Sequence, residues 1–287
     1  MVGAHLHTID AGKFKLDGGA MFGVVPKSMW QKINPSDENN MCTWALRCLL
    51  VIDGDRKILI DTGMGDKQDE KFRSHFHPHA ESSLVQSIND VGFSSDDITD
   101  VFLTHLHFDH VGGALVRQGN DIVPTFSNAK YWSNEYQYNW ALNPNEKEKA
   151  SFLKENIVPM MDHKVLHFID IQQGIQFSDH ISLNFVYGHT GAMMIPTITL
   201  DNGNKVIYCA DLLPSSGHIG LPYVMAYDVL PLTTMEEKNK LFERAVAPDT
   251  YLFLEHDKDH ALISVEKNEK GRVVLKDTHD MNTISSI

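Results

Sequence analysis

The sequence predicts an α+β protein in which helices cover the outer faces of two packed sheets. Three observations carry that expectation. Short apolar runs of strand length alternate with longer segments of helical periodicity, in two successive halves. Four of the apolar runs stop at a histidine or an aspartate, so several strands are expected to finish along a common edge. No Pro/Gly/Ser-rich linker or low-complexity stretch divides the 287 residues, which predicts a single domain over 1–287.

In chain order, residues 44–60 hold two apolar runs around Asp53, Gly54 and Asp55, a β-hairpin pattern closed by Asp61, Thr62 and Gly63. Leu84, Val85 and Ile88 give 80–91 a helical spacing. Val101, Phe102, Leu103 and Thr104 read as a buried strand. The stretch 135–158 is charged and helical, with a break near Pro144. Residues 165–211 contain four or five strand-like runs with a turn at Asn202 and Gly203. The last helical segment, 235–247, sets Leu241, Phe242, Ala245 and Val246 on one face.

HLHFDH at 105–110 follows the strand at 101–104 directly and crowds His105, His107, Asp109 and His110 onto one tight turn. Three imidazoles and a carboxylate are too dense for a solvated loop, and nitrogen with oxygen donors suits zinc or a similar divalent metal. The same form of strand, linking residue and ligand recurs through Gly188 to His189, through Ala210 to Asp211 and through Glu255 to His256. Seven groups exceed what one tetrahedral ion with an open position can use, so two metals are the natural reading. Other polar residues read more plainly. His75, His77 and His79 in SHFHPH (74–79) have no strand to deliver them and read as a solvated loop, and His260 lies too far beyond its strand to replace His256. Asp61 and Asp257 are each open between orienting a ligand imidazole and closing a turn.

The balance of 25 basic and 38 acidic residues, a net charge of −13, argues against a phosphate-backbone partner and predicts a small substrate that is not a polyanion. No nucleic acid and no membrane partner is expected. The N-terminal residues lack a charged-then-apolar leader and nothing approaches a membrane span, which predicts a cytoplasmic location. Cys42, Cys48 and Cys209 are odd in number and lack paired zinc-type spacing, so they read as reduced, buried thiols.

The motifs HLHFDHVGG at 105–113, GHT at 188–190, AD at 210–211, EHD at 255–257 and LIDTG at 59–63 resemble the metallo-β-lactamase superfamily. DGGAMFGVVPK at 17–27 is similar to the N-terminal part of its quorum-quenching, N-acyl homoserine lactonase-like subgroup. The resemblance implies an αββα sandwich of two mixed sheets flanked by helices. It also implies that His105, His107 and His189 hold one divalent ion, Asp109, His110 and His256 hold a second, and Asp211 bridges them. Zinc is expected, with Mn, Fe and Co also accepted by such donors. A hydroxide between the ions would attack a carbonyl, most simply that of a lactone, and Asp109 is the best-placed group to protonate the departing alkoxide.

The chain departs from the subgroup at two places. GHTGAMM at 188–194 replaces the pattern GHTxGH, and Pro214 stands where a tyrosine often orients the substrate carbonyl. His218 and Tyr223 are candidate replacement donors. Phe108, Phe22 and Met21 are candidate substrate contacts; Met193, Met194 and Met225 are weighed with them, although Phe and Met are more often plain core. Phosphotriester, thioester or other ester hydrolysis on the same site is the alternative, and a non-catalytic metal-binding module is the alternative of a different class. A true β-lactamase is expected to carry a thiolate where Asp211 stands, glyoxalase II a longer basic tail beyond His256, and a flavin-dependent diiron relative a glutamate at His107. Relatives with a segment like 17–44 are often homodimers, which leaves room for one here.

Overall fold

The computed structural model describes residues 4–79 and 82–285. Its first sheet begins with β1 (His5–Asp17), β2 (Met41–Asp53), β3 (Arg56–Ile60) and β4 (Asp100–Phe102). β5 (Leu115–Gln118) and β6 (Asp121–Pro124) form a separate hairpin, and β7 (Lys130–Ser133) and β8 (Leu166–Phe168) complete the first sheet in the order β1-β2-β3-β4-β7-β8. The second sheet has β9 (Ile175–Gln176), β10 (Ile181–Val186), β11 (Met193–Thr199) and β12 (Lys205–Tyr208), then β13 (Thr250–Phe253), β14 (Leu262–Lys267) and β15 (Val273–His279). Its strand order is the reverse of the chain order. Both sheets are mixed. β3, β4, β7 and β8 run parallel in the first, whereas only β12 and β13 do so in the second.

Side-chain alternation along β2 explains the layering. Leu49 and Val51 share a core with Leu183, Phe185, Tyr208 and Phe253 of the second sheet. Cys48 and Leu50 face the other way, into a core with Ile88, Ile157 and Met160 of the helices Leu84–Asp90 and Lys154–Asp162. On the far side of the second sheet the helix Pro231–Ala245 contributes Leu241, Phe242 and Ala245. Each large apolar side chain so buried contributes about 1.5–3 kcal/mol, so a shift of one residue in β2 would expose a whole face. The result is the αββα sandwich that the resemblance implied.

Local differences from the sequence reading have physical causes. β1 was not foreseen because a register shift between Asp10 and Lys13 breaks its two-residue period. The segment 135–158 is two helices, Glu135–Leu142 and Lys154–Asp162, with Pro144 in the connection. Pro231 at the first helical position, where no backbone donor is needed, carries the last long helix back to residue 231. The expected helix at 80–91 is Leu84–Asp90, capped by the Ser83 hydroxyl; residues 80 and 81 lie outside the described residues, as do 1–3 and 286–287 of the expected single domain. SHFHPH is only partly loop: residues 74–76 end the helix Glu70–Phe76, which His77 stops in the left-handed conformation. No helix among the described residues is long and apolar enough to cross a membrane.

Candidate metal centre

Beyond Phe102 the chain bends at Thr104, runs through His105 without regular structure to an extended His107 and then turns into the short helix Phe108–Val111. Gly112 is required next, because a Cβ there would lie 1.9 Å from the Met64 carbonyl oxygen. That close approach lets Thr62 donate to the His110 carbonyl through both its N–H and its hydroxyl, each at 2.8 Å. Two non-glycine residues beside the site, Asp61 (φ 57°) and Ala210 (φ 43°), adopt left-handed backbone that costs of order 1–3 kcal/mol each. The packing around them over-determines that conformation. Asp61 accepts from Thr104 N–H at 2.8 Å and from its hydroxyl at 2.7 Å, and Cys209 N–H donates to Phe253 at 3.0 Å just ahead of Ala210.

The structure brings all seven predicted ligand side chains together. Ligand atoms of His105, His107, His189 and Asp211 lie within 4.8 Å of one another, as do those of Asp109, His110 and His256. Asp211 reaches both groups. Its Oδ2 is 3.0 Å from His189 Nε2 and 3.4 Å from His110 Nε2, and its Oδ1 is 3.2 Å from His256 Nε2. Asp109 Oδ2 lies 3.8 Å from both His110 Nε2 and His256 Nε2.

The hydrogen bonds on the outer side of these rings decide which nitrogens face inward. His256 Nδ1 donates to the Ala45 carbonyl at 2.8 Å and His189 Nδ1 donates to Asp228 at 2.9 Å. Thr104 Oγ1, already donating to Asp61, accepts from His105 Nδ1 at 3.0 Å. His110 Nδ1 meets Glu255 at 3.0 Å and Asp61 at 3.3 Å. The Nε2 atoms of these four rings are left facing inward. Ring nitrogens come close together there, with His189 Nε2 3.1 Å from His107 Nδ1 and His256 Nε2 3.2 Å from His110 Nε2. Divalent cations would hold such nitrogens by their lone pairs, and buried Asp211 Oδ1 has no hydrogen-bond partner. A donor set of imidazoles and carboxylates without thiolate fits two borderline divalent cations such as zinc.

The electrostatics agree with a site built for positive charge. Burial would raise Asp211, but His110, His189 and His256 outweigh it and hold the carboxyl well below the usual range. Burial would likewise depress His189 and His256, yet Asp211 dominates and pushes them up to about 10 and about 9. His105 and His107 move the other way, lowered chiefly by burial.

Beside the cluster lies a cavity of about 270 Å³, with His107, Asp109, His189, Asp211 and His256 exposed to it. Phe108 and Met21 line it as expected, and Phe76, Leu16, Met225 and Tyr227 complete its side-chain walls with Ala150 and Ser151. Phe76 packs 4.5 Å from Phe108, centroid to centroid. Phe22, His218 and Tyr223 are not in the lining. Phe22 is fully buried, stacked between Trp30 at 5.6 Å and His218 at 4.7 Å. His218 has both ring nitrogens in use, accepting from the Ser215 hydroxyl at 2.7 Å and donating to the Met21 carbonyl at 2.9 Å, and burial pushes its pKa down to about 4. Tyr223 packs edge-on against Phe22. Met193 and Met194 belong to the core around β11. Neither Asp257 nor His260 joins the cluster: Asp257 accepts from Ser216 and from the N–H groups of Asp259 and His260 and so organises its own loop. Asp61 does touch His110. His75, His77 and His79 are exposed. Tyr227 was missed because it sits in a loop without periodicity; its signal is the neighbouring Asp228, which holds His189.

The family described as Metallo-beta-lactamase superfamily matches residues 47–256. An N-acyl homoserine lactonase of Bacillus cereus is 25% identical over 217 residues, 72% of this chain and 74% of that protein. Among solved structures, a probable metal-dependent hydrolase from Staphylococcus aureus superposes with a TM-score of 0.84 at 26% identity, over 96% of this chain and 98% of that one. AidC, a dizinc quorum-quenching lactonase, superposes with a TM-score of 0.77 at 22% identity, over 97% and 96%.

Proposed function

The chain belongs to the metallo-beta-lactamase superfamily, and from that membership we propose that it is a dinuclear metal hydrolase opening lactones that carry an apolar acyl arm. One observation carries this reading: the ligand side chains share a cavity with apolar walls, and no Lys or Arg is among the described lining residues. Such a pocket suits a neutral carbonyl substrate better than a phosphate monoester or a polyanion. The lactonase relatives are consistent with it.

His105, His107 and His189 would hold one ion, Asp109, His110 and His256 the other, and the Asp211 carboxylate would lie between them. Two divalent ions there would make water a nucleophile near neutral pH and polarise the carbonyl under attack. Asp109 lines the cavity, where its carboxylate is placed to take the proton released by the attacking water and pass it to the departing alkoxide. Tyr227 also lines the cavity, and its hydroxyl has no hydrogen bond among the described residues. Burial first, and then Asp109, Asp17 and Asp211, raise its pKa, so it stays a donor at alkaline pH and serves the substrate carbonyl in place of the tyrosine absent at Pro214. Phe108, Phe76, Met21 and Met225 exclude water and receive the acyl arm.

A hydrolysis screen of the metal-loaded protein against acyl-homoserine lactones, a simple γ-lactone, a thioester and paraoxon tests the reading. Lactone turnover is expected to dominate. Brisk paraoxon or thioester turnover without lactone opening would replace the substrate class and leave the metal core intact.

A further inference from the structure

His107 differs from the other four imidazoles in presenting Nδ1, not Nε2, to the cluster: its Nδ1 is 3.1 Å from both His105 Nε2 and His189 Nε2. Its Nε2 must therefore carry the proton and needs an acceptor. No backbone carbonyl or turn residue supplies one. Instead Nε2 points at Glu148 Oε1, 3.4 Å away, and neither buried atom has a hydrogen bond of its own. Glu148 is 2% exposed, and its other oxygen accepts from Trp140 Nε1 at 2.8 Å and Asn145 Nδ2 at 2.5 Å. A buried carboxylate so held costs several kcal/mol in desolvation unless each oxygen finds a donor.

We propose that Glu148 is a positioning residue, which fixes His107 as an Nδ1 ligand and ties the cavity wall to the metal centre. The connection between the helices Glu135–Leu142 and Lys154–Asp162 supplies both parts: Glu148 toward His107, and Ala150 and Ser151 toward the cavity. Ser151 also accepts from Phe108 N–H at 2.9 Å, which pins the wall to the helix that carries Asp109 and His110. Movement of this wall as a substrate enters would thus be felt at His107. The inference rests on the dimetal reading of the site.

Glu148→Gln is the test, because it keeps the shape but offers one acceptor oxygen where His107, Trp140, Asn145 and Thr190 converge on two. Either the amide oxygen faces His107 and the NH2 meets Trp140 and Asn145, or the NH2 faces His107 and forces the wrong tautomer. Elemental analysis and chelator competition on the zinc-loaded protein are expected to show one ion bound about 10–100-fold more weakly, with the second retained. Wild type holding two ions while Glu148→Gln holds them with unchanged affinity overturns this inference and leaves the dimetal site standing. Wild type holding none overturns both. Should the variant fail to fold, histidine ¹⁵N NMR of the zinc-loaded wild type decides: a proton on His107 Nε2 supports the assignment, and one on Nδ1 overturns it.

Discussion

Asp211 shows how much one side chain settles at this site. Its carboxylate touches imidazoles of both groups, His189 and His110 through Oδ2 and His256 through Oδ1, so its loss removes a shared anion, whereas the loss of a peripheral histidine removes one donor. Asp211→Ala is expected to lower metal content in both positions and His256→Ala in one, as read by elemental analysis after metal-replete expression. Identical losses would remove the support for bridging. Tyr227→Phe removes a hydroxyl without changing the ring; kcat should fall about 100-fold, the lower end of the range for a lost donor at a developing oxyanion, with KM little altered. A rise in KM at constant kcat would instead make Tyr227 part of the wall.

Elements position these residues, and the helix Pro231–Ala245 does so from a distance. Its Lys238 is buried, and Nζ donates to the carbonyls of His218 at 2.6 Å, Tyr223 at 2.9 Å and Gly220 at 3.0 Å. The loop so gathered carries His218, whose bond to the Met21 carbonyl fixes one wall of the cavity. Lys238→Met keeps the apolar stem but strips the donor from several carbonyls. It should cost about 1–3 kcal/mol in urea unfolding and raise KM more than it lowers kcat. An unchanged unfolding midpoint would mean that water replaces the ammonium.

At the scale of the molecule the two sheets meet at a polar clamp as well as in the core. Asp53, at the end of β2, lies 2.6 Å from Nδ1 of His180, the residue before β10. Asp53 raises the His180 pKa against a smaller opposing effect of burial; burial would raise Asp53, but Ser178 and His180 outweigh it and lower the pKa. The His180 contribution is fully present below its unfolded value of about 6.5 and is lost as pH rises through the raised folded value; that of Asp53 is present above about 3.9 and lost as pH falls through the lowered one. His180→Ala should therefore cost of order 1 kcal/mol near pH 6 and less near pH 9, by urea unfolding. An equal cost at both values would exclude a charged clamp. The cavity makes the other prediction at this scale. Each methylene buried contributes roughly 0.8 kcal/mol, so kcat/KM should rise about fourfold per carbon of acyl chain until the pocket is full. Flat activity across chain lengths would remove the acyl pocket.

The sequence by itself determined the sandwich and the seven candidate ligands, because both are written locally. Short apolar runs mark β2, β10, β12 and β13, and the ligands stand in the first six residues after an apolar run, His105, His189, Asp211 and His256 within two. β1, whose period is broken at Asp10, was illegible for the same reason. Only the tertiary structure decided what surrounds the ligands. Phe22 and His218 look like site residues in the chain, yet stack on each other in the core, while Tyr227 and Phe76 carry no local signal and line the cavity. Glu148 lies 41 residues beyond His107, in a connection without regular structure, and meets it only because two helices fold that connection back over the metal-site edge. Periodicity records which face of an element is buried; it does not record which loops close over the same point in space.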